Sequence, residues 1–167
     1  MRKTTAAIAA AATAVLATGA GLGVASASQA SPAASGTEHF YLMTTQPSAS
    51  RYTVIASGVF TAGGTDISGN TTDKLNLPGG TIKIHHSGRI HILVQKFDAK
   101  TCLAHFKGTA TFTVGGGSGA YKGISGSGKA TVNVLEIAKR NSKGQCNPNA
   151  APKVNEQTIT ATARVKL

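Results

Sequence analysis

Residues 103–114 read LAHFKGTATFTV. Ala104, Phe106, Gly108, Ala110, Phe112 and Val114 fall at every second position, with His105, Lys107, Thr109, Thr111 and Thr113 between them. Side chains of a strand point alternately to its two faces, so this spacing predicts a strand with one face buried and the other wet.

The same alternation recurs downstream. Gly126, Gly128, Ala130, Val132 and Val134 share one phase, and Ile159, Ala161, Ala163, Val165 and Leu167 share another, opposite Thr158, Thr160, Thr162, Arg164 and Lys166. Seven runs read as strands: residues 38–45, 51–60, 81–86, 90–97, 103–114, 126–137 and 158–167, with a short eighth at 74–77. Successive strands with one buried face imply an antiparallel sheet. No amphipathic helical run of useful length interrupts them, so the sheet must bury its apolar face against itself, and closure into a barrel does so without leaving exposed edges. The expected fold is all-β, a closed antiparallel barrel of about eight strands. Small side chains alternate with large ones, so Phe106, Phe112, Val132, Val134 and the 159–167 set are expected to fill most of the lumen.

Within residues 81–97, a turn around Ser87-Gly88-Arg89 would match Ile84 with Ile92 and Ile82 with Val94. That register sets His85 across from His91.

Residues 112–129 read FTVGGGSGAYKGISGSGK. A hydrophobic strand, the turn Gly116-Gly117-Ser118-Gly119, Tyr121 two residues later, and Gly123, Gly126 and Gly128 opening the next strand resemble the signature of the allene oxide cyclase and dirigent-like β-barrels. The wider stretch from Leu77-Pro78-Gly79-Gly80 to Val134 is similar to small secreted actinobacterial proteins of uncharacterised function placed in that superfamily. The resemblance implies an eight-stranded barrel, in agreement with the strand count. Its members include cyclases and proteins that steer coupling reactions without redox chemistry of their own. Glu38 lies on the first strand, as an acidic residue does in the plant cyclases, but its neighbours differ and no role is carried over.

The chain has 167 residues, and 17 Lys and Arg against 6 Asp and Glu give a formal charge of +11. Arg2 and Lys3 precede a stretch of small apolar residues that ends in Ala25-Ser26-Ala27, the pattern of a cleaved export signal. Cleavage is expected after Ala27, with Ala30 as the second choice, and removes two of the basic residues. The expected organisation is a signal peptide over 1–27, a flexible mature N-terminus over 28–37 and one barrel domain over 38–167. The mature protein is then secreted, with no membrane span. Cys102 and Cys146 are the only cysteines, and an oxidising compartment favours a disulfide between them. Closing a loop of about 45 residues stabilises a fold by about 4 kcal/mol in the chain-entropy model.

Motifs for chemistry are sparse. Residues 123–130 read GISGSGKA, one hydroxyl short of a P-loop, and a strand follows where a phosphate site needs a helix. His85 and His91 are the candidate ligand-binding pair, but no third ligand stands at zinc-like spacing, so neither a metal nor a cofactor is expected. Asp66, Asp73, Asp98 and Glu156 fall in or beside predicted loops. Glu136 is the one candidate catalytic residue: the phase of Ala130, Val132 and Val134 carries it inward, where burial would fit it for general acid chemistry. Apolar Leu135 and Ile137 on either side favour instead a bulge near Val134 that turns Glu136 to water.

The basic residues are dispersed and aromatics are few, which argues against a specific nucleic-acid groove. Three functions remain: a non-enzymatic binding or envelope-associated protein, which the missing catalytic groups favour; a cofactor-free cyclase or isomerase acting on a small apolar substrate in the lumen; and salt-sensitive binding to an anionic cell-envelope polymer. The partners are accordingly a small apolar ligand or that polymer. The sequence leaves the oligomeric state open.

Overall fold

The computed structural model describes residues 34–46 and 50–167; the signal-peptide reading lies outside them. The described residues contain no helix. Eleven strands follow in chain order: β1 Ser35–Thr44, β2 Arg51–Ser57, β3 Thr61–Ile67, β4 Thr72–Leu77, β5 Gly80–His86, β6 His91–Asp98, β7 Leu103–Gly119, β8 Ser125–Ile137, β9 Lys139–Arg140, β10 Cys146–Asn147 and β11 Val154–Lys166. The order β5-β4-β3-β2-β1-β11-β8-β7, with β5 also paired to β7, closes an eight-stranded antiparallel barrel. β1 begins at Ser35, three residues ahead of the expected start of the domain, because Ser35, Gly36 and Thr37 already pair with Lys166, Val165 and Arg164. β3 carries no strand signal in the sequence: TAGGTDI has little β propensity of its own, and full pairing with β2 holds it in place.

The expected hairpin over residues 81–97 does not form. β5 and β6 instead follow one another along the same edge of β7, with His86 opposite Phe112 and His91 opposite Thr109. Residues 87–90 bow out against only two residues of β7, and Gly88, at φ 69°, takes the left-handed backbone this kink requires. β7 has 17 residues, enough to carry both partners. His85 therefore lies opposite Thr72 and Thr113, not His91.

Strand length then divides the molecule. The lower barrel is filled: Val54, Ala56, Ile82, Val114, Ala163 and Val165 are buried in one cluster. Gly116-Gly117-Ser118-Gly119, expected as a turn, instead end β7, where Gly117, Ser118 and Gly119 pair with β5, and the chain reverses over residues 120–124. That reversal plugs this end, with Tyr121 swung beneath the ring, its hydroxyl donating to Pro78 O at 3.2 Å and its ring centroid 5.0 Å from that of Phe60. Gly128 on β8 pairs with Phe112 on β7, and a Cβ there would stand 2.7 Å from the Phe112 ring, which is why the strand opens on spaced glycines. Above the rim set by His86, the upper parts of β7, β8 and β11 continue with β6 as a curved wall. From residue 103 to 111, β7 alone adds about 30 Å at 3.3 to 3.4 Å per residue.

The Cys102–Cys146 disulfide forms, as expected. It ties the β6–β7 turn to the β9–β10 hairpin, at the tip of the wall and away from the ring. Replacing both residues, Cys102→Ser with Cys146→Ser, is expected to cost about 2–4 kcal/mol in denaturant unfolding. Hydrogen exchange should quicken in residues 98–103 and 138–153 while β1 to β5 keep their protection.

Candidate functional site

Above its packed floor the lumen is open. A cavity of about 420 Å³ occupies the upper half of the barrel and the foot of the wall. This corrects the expectation of a mostly filled lumen for its upper half: Phe106, Val132 and Val134 line the space rather than fill it, because they stand where the strands outlast the ring, and Phe112 and Ile159 line it from the last rungs of the ring. Phe40, Leu42, Leu75 and Ile84 complete the apolar wall, and Ala110, Ala130 and Ala161 leave it wide.

The polar groups gather at the mouth. Asp73 and His86 end the inward-facing rows of β4 and β5, two residues beyond Leu75 and Ile84. Asp73 Oδ1 accepts from Ser68 Oγ at 2.9 Å and from Gly69 N–H at 3.0 Å, and lies 3.3 Å from His86 Nε2. Gly88 N–H donates to His86 Nδ1 at 3.2 Å, so the ring proton sits on Nε2 and points at Asp73. Both ring nitrogens of His86 are thus engaged. Asp73 Oδ2 has no donor among the described residues, and Asp73 lines the cavity. Arg89 lines the same mouth. Across the opening, Tyr52 donates to Gln157 Oε1 at 2.8 Å. Burial first, then the charges of Asp66 and Asp73, push the Tyr52 phenol up and keep it a donor.

Two carboxyls are fully buried. Asp66, 1% exposed, faces Tyr52 and Leu75 across the sheet, and its Oδ1 has no partner among the described residues. Burial, with the nearby charge of Asp73 second, raises its pKa to about 7. Glu38, also closed off from solvent, accepts from Phe60 N–H at 3.1 Å at the opposite, floor end. Burial raises its carboxyl too, against the lowering effect of the backbone donors Phe60 and Val59.

The residues singled out from sequence lie elsewhere. His85 points away from the lumen, 3.3 Å from Thr72 Oγ1, and His91 is exposed on the outer face of β6; neither lines the cavity. Glu136 does keep the phase of Val132 and Val134. The expected bulge is absent, since β8 pairs without a slip to both β7 and β11 up to Ile137, and a bulge would break two ladders at once. Glu136 stands beside Ala104 and Asn155, above the cavity and not in its lining. Asp66, Asp73 and Glu156 belong to strands, not loops. Asp73 and His86 were within reach of the sequence: extending Leu77-Leu75 backwards and Ile82-Ile84 forwards places both inside.

Among the described residues, no three His, Cys, Asp or Glu side chains are grouped to hold a metal ion. In comparisons with known proteins, no family model, no curated protein and no solved structure matches this chain.

Asp66 gives the fold a pH dependence of definite sign. The folded state keeps a proton that the unfolded chain, near the ordinary value of 3.8, has released, so stability falls as pH rises from about 4 through 7 and levels off above. Asp66→Asn should flatten that slope, matching the parent protein at pH 4 and exceeding it at pH 8 by on the order of 3 kcal/mol in denaturant melts.

Proposed function

We propose that the protein is an exported, non-enzymatic binding protein that holds a small apolar molecule in its lumen, with the ligand's polar end at the mouth. The observation that carries this reading is the open cavity of about 420 Å³, mostly apolar along its walls, with Asp73, His86 and Arg89 on one side of its mouth and Tyr52 and Gln157 on the other. Its size and its few convergent polar groups are those of small-molecule sites in general. Export is supported by the signal-like N-terminus and by the disulfide. The eight-stranded ring agrees with the strand number that the resemblance to allene oxide cyclase and dirigent-like barrels implies.

A second reading has one observation in its favour. Asp73 Oδ2 is an acceptor held at the edge of an apolar space, with Oδ1 fixed by two donors and a neighbouring imidazole. Such a carboxylate suits proton abstraction from a bound substrate, as a cofactor-free cyclase or isomerase requires.

Titration with the fluorescent probe 1-anilinonaphthalene-8-sulfonate, an apolar body with an anionic end, tests the binding reading. Saturable binding at one site per chain is expected, weakened at least tenfold by Ala110→Trp, which fills the cavity, and several-fold by Arg89→Ala. Probe binding that ignores Ala110→Trp would remove the lumen from consideration. Asp73→Asn separates the two readings, since an enzyme would lose turnover while retaining its ligand.

A further inference from the structure

The wall above the mouth ends in an unprotected strand. β6 pairs with β7 on one side and, among the described residues, with nothing on the other. Its side chains are out of the core: Ile92 is 52% exposed, Leu93 51% and Phe97 46%. A row of free backbone donors and acceptors flanked by apolar side chains is a template for another strand.

We infer that this edge pairs with the same strand of a second copy of the chain, antiparallel about a two-fold axis at Gln95. The register of β6 on β7 shows which residues share a face. Ile92, Gln95 and Phe97 lie opposite Gly108, Phe106 and Ala104, on the side that faces the cavity. His91, Val94, Lys96 and Asp98 lie on the outer side, and Leu93 is the unpaired residue of a bulge. With the axis at Gln95, every pair joins residues of one face. Ile92 meets Phe97 of the partner subunit on the inner side, twice by symmetry. On the outer side the imidazole of His91 meets the carboxylate of the partner's Asp98, and the stem of Lys96 covers the partner's Val94.

Neighbouring registers are worse. Moving the axis to Lys96 sets two ammonium groups face to face, and like charges directly opposite destabilise a ladder; moving it to Val94 sets Gln95 against the partner's Ile92 and separates His91 from the partner's Asp98. Asp98 is well prepared for its part, because the Lys100 N–H at 2.8 Å and the Thr101 hydroxyl at 2.9 Å hold its carboxyl below the usual range and keep it ionised. The chain's own N-terminal segment is a poorer occupant: it leaves β1 at Ser35, beside Lys166, at the plugged end of the barrel, whereas β6 stands at the other. Gln95 lies across from Phe106, which lines the cavity, so the joint runs alongside the mouth.

One strand edge is smaller than a standard stable interface, so the association is weak and depends on concentration. Sedimentation velocity of the purified protein across the micromolar to millimolar range is expected to show the mass rising from one chain towards two, less so at high salt. Gln95 is exposed, so Gln95→Lys and Gln95→Glu should each melt like the parent. Each alone is expected to stay monomeric, with like charges across the axis, and an equimolar mixture of the two should recover the dimer. A parent protein that remains monomeric throughout overturns the inference. So does an assembly that survives in both single variants, which would give the edge to a different occupant, or a mixture that fails to recover it.

Discussion

One strand has to serve two partners on the same edge, and the rest of the architecture depends on this. The lower part of β7 pairs with β5 and closes the ring, with His86 opposite Phe112 as the last closing pair. Its upper part pairs with β6 and takes no part in closure. The ring ends where β5 ends, while β7, β8 and β11 continue. Side chains that would have met across a complete barrel therefore face an opening. Close approach at the foot of this ladder needs backbone without side chains: Gly80 pairs with Gly119, and a Cβ on Gly117 would meet Thr81 O at 2.6 Å.

Charge inside so small a barrel is tolerated only under particular conditions, and its three inward carboxyls meet them differently. Glu38 is held by backbone donors at the floor. Asp73 sits at the mouth, where a hydroxyl, an amide and an imidazole share its load. Asp66 lies between Tyr52 and Leu75 across the sheet with one oxygen unpartnered, and burial favours its neutral form. The nearby charge of Asp73 works in the same direction as burial and further favours the proton on Asp66.

The barrel was legible from residues 103–114 because a period of two survives wherever one face is buried, and β7, β8 and β11 are long enough to display it. What pairs with what was not legible in 81–97. Ile82, Ile84, Ile92 and Val94 alternate equally well in a hairpin and along a single edge, and Ser87-Gly88-Arg89 serves a kink as readily as a reversal. β3 escaped because Gly63 and Gly64 carry no pattern, though pairing with β2 fixes them. The site was half visible. Asp73 and His86 follow from phase alone, yet an acidic residue beside a glycine-rich stretch reads as loop unless the strand is extended past its apolar core. The open lumen depends on where each strand stops, and alternation carries no information about that.

Tyr121 and Ile124 seal one end of the barrel, which makes the vessel a cup and not a pipe. Any solute must arrive and depart through the same aperture. A molecule held as proposed, with its polar end at the lip, would enter greasy end first and leave greasy end last, and would show the outside world the same end throughout its stay.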